Sequence, residues 1–171
     1  MRRSRFFLNT ILGVVIGAGA CSSDRPTLDG PSAPAYSLTS LVSGVLLRCS
    51  ALPYSSTSAT IGSGGGTLVM GPHRLVIPAG ALAGDTRITG EVLSDNVNSV
   101  RFSPEGLQFQ KSATLTLSYR NCAGAALLPL KKVAFTTESL GILELLQSLD
   151  QPAQSEVSGG LKHFSRYAVA Y

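Results

Sequence analysis

The stretch ATLTLSY (Ala113–Tyr119) sets Leu115, Leu117 and Tyr119 against Thr114, Thr116 and Ser118. Period two with one apolar and one polar side is the pattern of an antiparallel strand resting one face on a core. The same reading extends outward. In TRITGEV (Thr86–Val92), Ile88 and Val92 stand opposite Arg87, Thr89 and Glu91. Thr67–Met70 and Arg74–Ile77 flank a Gly71-Pro72 turn, and Val133–Thr137 and Tyr167–Tyr171 are further candidate strands. Gly80, Gly84 and Gly106, with Pro78 and Pro104, punctuate them. Strand signals become clear from Ser58 onward, and seven or more short strands in the remaining chain predict an all-β, antiparallel two-sheet β-sandwich.

Two stretches are ambiguous. Ile142, Leu145, Leu146 and Leu149 fit a helical stripe, whereas Leu143 and Leu145 fit a strand, and the surrounding pattern decides for strand. Leu38, Leu41, Val42, Val45 and Leu46 also fall at helical spacing, so Ser37–Cys49 is read as a short packed helix or a first strand.

The beginning of the chain supplies an address. A basic start (Met1–Arg5) leads into an apolar run of fifteen residues (Phe6–Ala20), ending in the small residues Ala18-Gly19-Ala20 before Cys21. A helix needs roughly 20 residues to span a bilayer core, so the run reads as a secretory signal peptide rather than an anchor. It resembles a bacterial lipobox, with Ala18 where such leaders usually carry Leu. The resemblance implies that Cys21 is lipidated, becomes the mature N-terminus and holds the protein in the cell envelope. Ser22, in place of an acid, favours the outer membrane. Ser22–Tyr36, with Pro26, Pro31, Pro34 and Gly30, then reads as a flexible tether.

Removing residues 1–20 takes away Arg2, Arg3 and Arg5 and no acid, so the formal charge falls from +4 to +1. No clustered basic stripe remains for nucleic acid. Besides Cys21 there are Cys49 and Cys122. In an oxidising envelope they can form one intrachain bridge, with two separate buried thiols as the alternative. A bridge over 73 residues is worth roughly 4 kcal/mol in the chain-entropy description.

Five segments together resemble a ZU-5 domain: GGGTLVM (Gly64–Met70), HRLVIPAGAL (His73–Leu82), TRITGEV (Thr86–Val92), FSPEGLQF (Phe102–Phe109) and ATLTLSY (Ala113–Tyr119). HFSRYAVAY (His163–Tyr171) is similar to the end of bacterial lipoprotein versions. The most specific part is Ile77-Pro78-Ala79-Gly80-Ala81-Leu82, where a strand runs into Pro78, Gly80 permits a turn and Ala81-Leu82 packs back. The resemblance covers roughly residues 58–171 and is weak between Ala123 and Gly160. It implies a β-sandwich that mediates protein–protein contact or serves as a structural module. The expected organisation is a leader at 1–20, a lipidated cysteine with a Pro/Ser-rich tether and a short packed segment at 21–50, and a ZU-5-like sandwich at 51–171.

Chemistry-bearing patterns are few. The Gly62–Gly66 run lacks the Lys-Ser/Thr and helix of a phosphate loop and leads into Thr67-Leu68-Val69, a strand. His73 and His163 are the only histidines, too few for a zinc site once the cysteines are paired. Asp85, Glu91, Asp95 and Glu105 have no spacing that singles out a catalytic pair. His163-Phe164-Ser165 is the one sharp enzymatic pattern. Some ZU-5-related domains cleave themselves between Phe and Ser in a similar motif, which implies attack of Ser165 on the Phe164 carbonyl with His163 as base. In an extended segment, residues 163 and 165 face the same side. The other reading is a turn with Phe164 in the core and Ser165 capping backbone. Carbohydrate binding would need exposed aromatics. Trp is absent, leaving Tyr36, Tyr54, Tyr119, Tyr167 and Tyr171. The expectation is therefore a non-catalytic, lipid-anchored envelope protein that contacts an envelope protein partner, without cofactor, metal or nucleic acid. Self-cleavage and sugar binding are the alternatives.

Overall fold

The computed structural model describes residues 44–171. The leader, Cys21, the Ser22–Tyr36 tether and residues 38–42 of the ambiguous segment lie outside them. The strands are β1 (Ser55–Ile61), β2 (Gly66–Met70), β3 (His73–Ile77), β4 (Thr86–Val92), β5 (Val100–Ser103), β6 (Gln108–Ser118), β7 (Lys132–Thr136), β8 (Ile142–Leu145), β9 (Ser148–Gln151), β10 (Glu156–His163) and β11 (Arg166–Ala170). They form two antiparallel sheets. The six-stranded sheet has the order β1-β4-β5-β11-β7-β8, and the five-stranded sheet β2-β3-β6-β10-β9. This is the expected two-sheet sandwich.

ATLTLSY lies in and just beyond β6, the middle strand of the second sheet. Leu115 pairs with Leu75 on β3 and with Gly159 on β10. Leu115 and Leu117 are fully buried, as the alternation requires. Its polar side is less exposed than expected, with Thr116 and Ser118 each 3% exposed. Thr116 meets the Ser158 hydroxyl at 2.9 Å, and the Ser118 hydroxyl reaches the Ser155 carbonyl at 3.5 Å.

The ambiguous stretch is extended and changes sheets. β8 pairs with β7 in the first sheet, β9 with β10 in the second, and the chain crosses at Leu146–Gln147. The Leu146 amide donates to Val133 at 2.9 Å during the crossing. Leu145 and Leu146 are both half-buried because Leu145 ends β8 and Leu146 begins the crossing. That double burial produces the apolar spacing that mimics a helix. In the earlier segment, the described part is strand-like. Val45 and Tyr171 exchange backbone hydrogen bonds at 3.1 and 3.0 Å, and the Leu47 amide donates to Val169 at 2.8 Å. Leu46 bridges Ala170, and Leu47 is 1% exposed.

Three strands carried no clear signal, β5 among them. β10 contains Gly159-Gly160, which by itself reads as a turn. A Cβ at Gly159 would lie 2.9 Å from the Val133 Cβ, so glycine is what lets the two sheets approach there. β1 begins at Ser55, earlier than expected, with Ser and Thr filling its exposed positions.

Cys49 and Cys122 are disulfide-bonded across 73 residues. A polar knot surrounds the bridge. Asn121 donates to the Ser50 carbonyl at 2.6 Å and to the Asn98 side chain at 2.8 Å, while Asn98 donates to the Ser118 carbonyl at 2.9 Å. Asn98 adopts φ 51°, a left-handed conformation that asparagine tolerates. Reducing the bridge should lower the unfolding free energy by about 4 kcal/mol, read from denaturant midpoints with and without reductant. An unchanged midpoint would mean that the polar knot alone fixes this end.

His73 is 1% exposed, with Nδ1 accepting the Ser118 amide at 3.1 Å and Nε2 unpartnered. Burial lowers its pKa to about 4. Above pH 6.5 the ring is neutral folded and unfolded. Below it the unfolded chain takes a proton that the folded chain refuses, so stability falls as pH drops. Between pH 7 and 5 the loss should be roughly 2 kcal/mol. It should vanish in His73→Asn, whose side-chain oxygen can still accept the Ser118 amide. A decline that persists in this variant would exonerate His73.

Candidate functional site

The three residues of the reactive motif sit at the corner between β10 and β11, but face different surroundings. β10 ends at His163 and β11 begins at Arg166, so the chain turns at Phe164–Ser165 and the period-two rule lapses there. Phe164 is 1% exposed. Its ring stacks on Phe102 at 5.0 Å and meets Phe109 edge-on at 5.0 Å. Its amide donates to the Leu107 carbonyl at 2.9 Å, and its carbonyl accepts from the Gly106 amide at 3.0 Å.

The His163 ring packs against Phe135 at 4.9 Å and Tyr167 at 6.3 Å. The Tyr167 hydroxyl donates to the His163 carbonyl at 2.7 Å and lies 3.5 Å from Nδ1. Nδ1 is also 3.5 Å from the Phe164 carbonyl oxygen. No hydrogen bond joins His163 to the Ser165 hydroxyl among the described residues. The Ser165 backbone carbonyl accepts the Phe102 amide at 3.1 Å. The Phe164 carbonyl thus has one backbone donor, while the Ser165 hydroxyl has no hydrogen bond to the His163 ring. Neither Phe164 nor Ser165 adopts a left-handed φ.

Beside this corner is a cleft of about 420 Å³, lined by Ser112, Glu144, Gln147, Lys162, His163 and Tyr167 among others. It opens where the chain crosses between sheets at Leu146–Gln147, bringing Glu144 of β8 near β10. Tyr167 is 1% exposed, and its pKa is raised, first by burial and second by the Glu144 charge. The phenol therefore stays protonated as a donor. Sequence reasoning placed His163 but not Glu144, Gln147 or Lys162 here, because only the sheet switch assembles them.

The Ile77–Leu82 segment is a turn locked from three sides. Gly80 adopts φ +74°, and its amide donates to the Ser63 carbonyl at 2.7 Å. The Ala81 amide closes on Pro78 at 3.1 Å, and Lys111 Nζ donates to the Ala79 carbonyl at 3.0 Å. Ile77, Ala81 and Leu82 are buried. The glycine run ending at Gly66 is the facing β1–β2 turn, and a strand follows it. A Cβ at Gly65 would meet the Ile77 carbonyl oxygen at 2.4 Å.

The carboxylates are dispersed. Asp95 pairs with Arg166 at 2.7 Å, Glu91 lies 3.9 Å from Arg101, and Asp85 adjoins Gly62. Glu105 is exposed. No group of three His, Cys, Asp or Glu side chains suited to a metal ion occurs among the described residues. For sugar stacking, Tyr119 and Tyr167 are buried, Tyr171 is half-buried, Tyr54 is 57% exposed, and Tyr36 lies outside the described residues. The chain matches no protein-family model and no curated protein sequence. Tyr167→Phe should cost about 1 kcal/mol by losing the hydrogen bond to His163. A denaturant midpoint equal to wild type would show that this hydroxyl does not hold the corner.

Proposed function

We propose that this chain is a non-catalytic, lipid-anchored protein of a bacterial envelope, whose ZU-5-like sandwich binds another protein. The anchor reading rests on the Cys21 leader, and the outer membrane is the favoured location. The family reading rests on the five segments around Ile77–Leu82. The observation that carries the binding role is the outer face of the second sheet. Val76, Thr114 and Gly160 form one row across it, and Arg74, Thr116, Ser158 and Leu149 the next. Val69, Val76 and Leu149 are 60%, 39% and 63% exposed. Small residues between them leave the face flat, and the Arg74–Glu156 pair at 3.3 Å neutralises the arginine. Such a face suits a neutral, apolar protein surface.

The paired test is a crosslinking pull-down from the native envelope with wild type and with Val76→Lys/Leu149→Lys. A partner captured by wild type and lost by the double variant supports this face. Equal capture by both would sink it. Self-cleavage at Phe164–Ser165 is a second reading, favoured by the Gly106 amide on the Phe164 carbonyl. It requires a short C-terminal peptide beginning at Ser165. A single intact chain on denaturing gels and by mass spectrometry would end it.

A further inference from the structure

We propose that the loop after β6 docks the sandwich on a lipid surface, with Leu127 and Leu130 entering the bilayer interface. The proposal rests on the reading of Cys21 as a lipid anchor. Leu127 is 90% exposed and Leu130 71%. A single exposed leucine needs no explanation, but these two are displayed on a loop whose backbone is pinned at both ends. At one end Cys122 is bonded to Cys49, followed by a 3-10 turn at Ala125–Leu127. At the other end Lys131 is only 3% exposed. Its ammonium donates to the carbonyls of Leu128 at 3.2 Å and Pro129 at 3.0 Å, beneath the Tyr119 ring at 5.5 Å. Its amide donates to Asp150 at 2.9 Å. The loop withdraws a charged side chain and presents apolar ones. That inversion is unfavourable facing water and favourable facing an apolar phase.

Position supplies the second argument. The described chain reaches the sandwich at Val45, paired with Tyr171 on one side of β11. Lys132, two residues past Leu130, pairs with Ala170 on the other side of β11. The approach from Cys21 and the leucine loop therefore share one end of the first sheet, where Val45 is itself 57% exposed. The opposite end carries the Gly62–Gly65, Pro104–Leu107 and Thr137–Gly141 turns. Among the described residues, Leu143 on β8 is an exposed large apolar side chain near those turns, whereas the two most exposed, Leu127 and Leu130, stand at the loop's end.

Reach and charge complete the case. With 22 residues between Cys21 and Gly44, the sandwich stands no more than about 80 Å from its anchor. A tether of that reach keeps the loop at high effective concentration near the bilayer, so a small contact suffices. Lys132 and Arg120 are exposed beside the loop and suit anionic headgroups.

The experiment uses the mature lipidated protein in vesicles of phosphatidylethanolamine and phosphatidylglycerol. An environment-sensitive fluorophore is attached through Leu127→Cys, Leu130→Cys or, at the opposite end, Ser139→Cys. With Cys21 acylated and Cys49–Cys122 bonded, the introduced thiol is the one available for labelling. Labels at 127 and 130 should shift to shorter wavelength and be quenched several-fold more than the 139 label by lipids bearing a quencher. Leu130→Asp should abolish quenching at 127. Equal quenching at all three positions would overturn the docking, including where a protein crosslinks to the loop. Mass spectrometry separates the premises. An unacylated Cys21 would overturn the anchor and the docking with it, whereas an acylated protein with 127 and 130 in water would overturn the docking alone.

Discussion

The aromatic cluster at the β10–β11 corner is the constraint on which the sandwich depends. Phe102, Phe135 and Tyr167 come from the first sheet, Phe109 and His163 from the second, and Phe164 joins them at the corner. Phe164 contacts Phe102 and Phe109 at 5.0 Å, while Phe135 lies 5.8 Å from Tyr167 and 4.9 Å from His163. Rings this close add specific packing energy to the area they bury. They couple the sheets at the end away from the disulfide, so the two ends are closed by different means. One uses stacked rings, and the other a covalent bridge inside an asparagine knot. Between them, Gly159 against Val133 brings the sheets together where a larger side chain would hold them apart.

This packing also explains the posture of the one reactive-looking motif. Burying Phe164 turns the chain, and the turn separates the surroundings of residues 163 and 165. His163 becomes a packed ring beside a tyrosine. The cleft next to it exists because β8 and β9 are two halves of one extended run divided between sheets. A polar cavity at such a crossing follows from the topology, since the backbone there must leave one sheet before it is fully paired in the other.

Much of the sandwich was legible in the sequence. Thr86–Val92 and Ala113–Tyr119 alternate because each has one face on the core, and that pattern is local. The turn at Gly71-Pro72 and the pivot at Gly80 are also local, set by backbone geometry. What escaped was set by distant partners. Gly159-Gly160 reads as a turn until Val133 is placed against it. Leu145 and Leu146 mimic a helix until the sheet switch is known. Thr116 and Ser118 look solvated until Ser158 and Ser155 cover them. In the candidate site, His163 was legible as a residue but its neighbours were not. Glu144 and Lys162 line one cleft only through a crossing that no short-range pattern encodes.

The short pairing of Val45–Leu47 with β11 has a mechanical meaning. Tension arriving along the chain from the N-terminal side would first open that pairing one hydrogen bond at a time, the weakest geometry for resisting force. The opening then meets the Cys49–Cys122 bond. From there the load passes directly to the loop after β6 and bypasses β1 through β6, which lie between the two cysteines. A pull on the outer face of the second sheet would instead load β2, β3 and β6, which lie inside the loop that the bond closes, and would reach the N-terminal segment through a covalent stop.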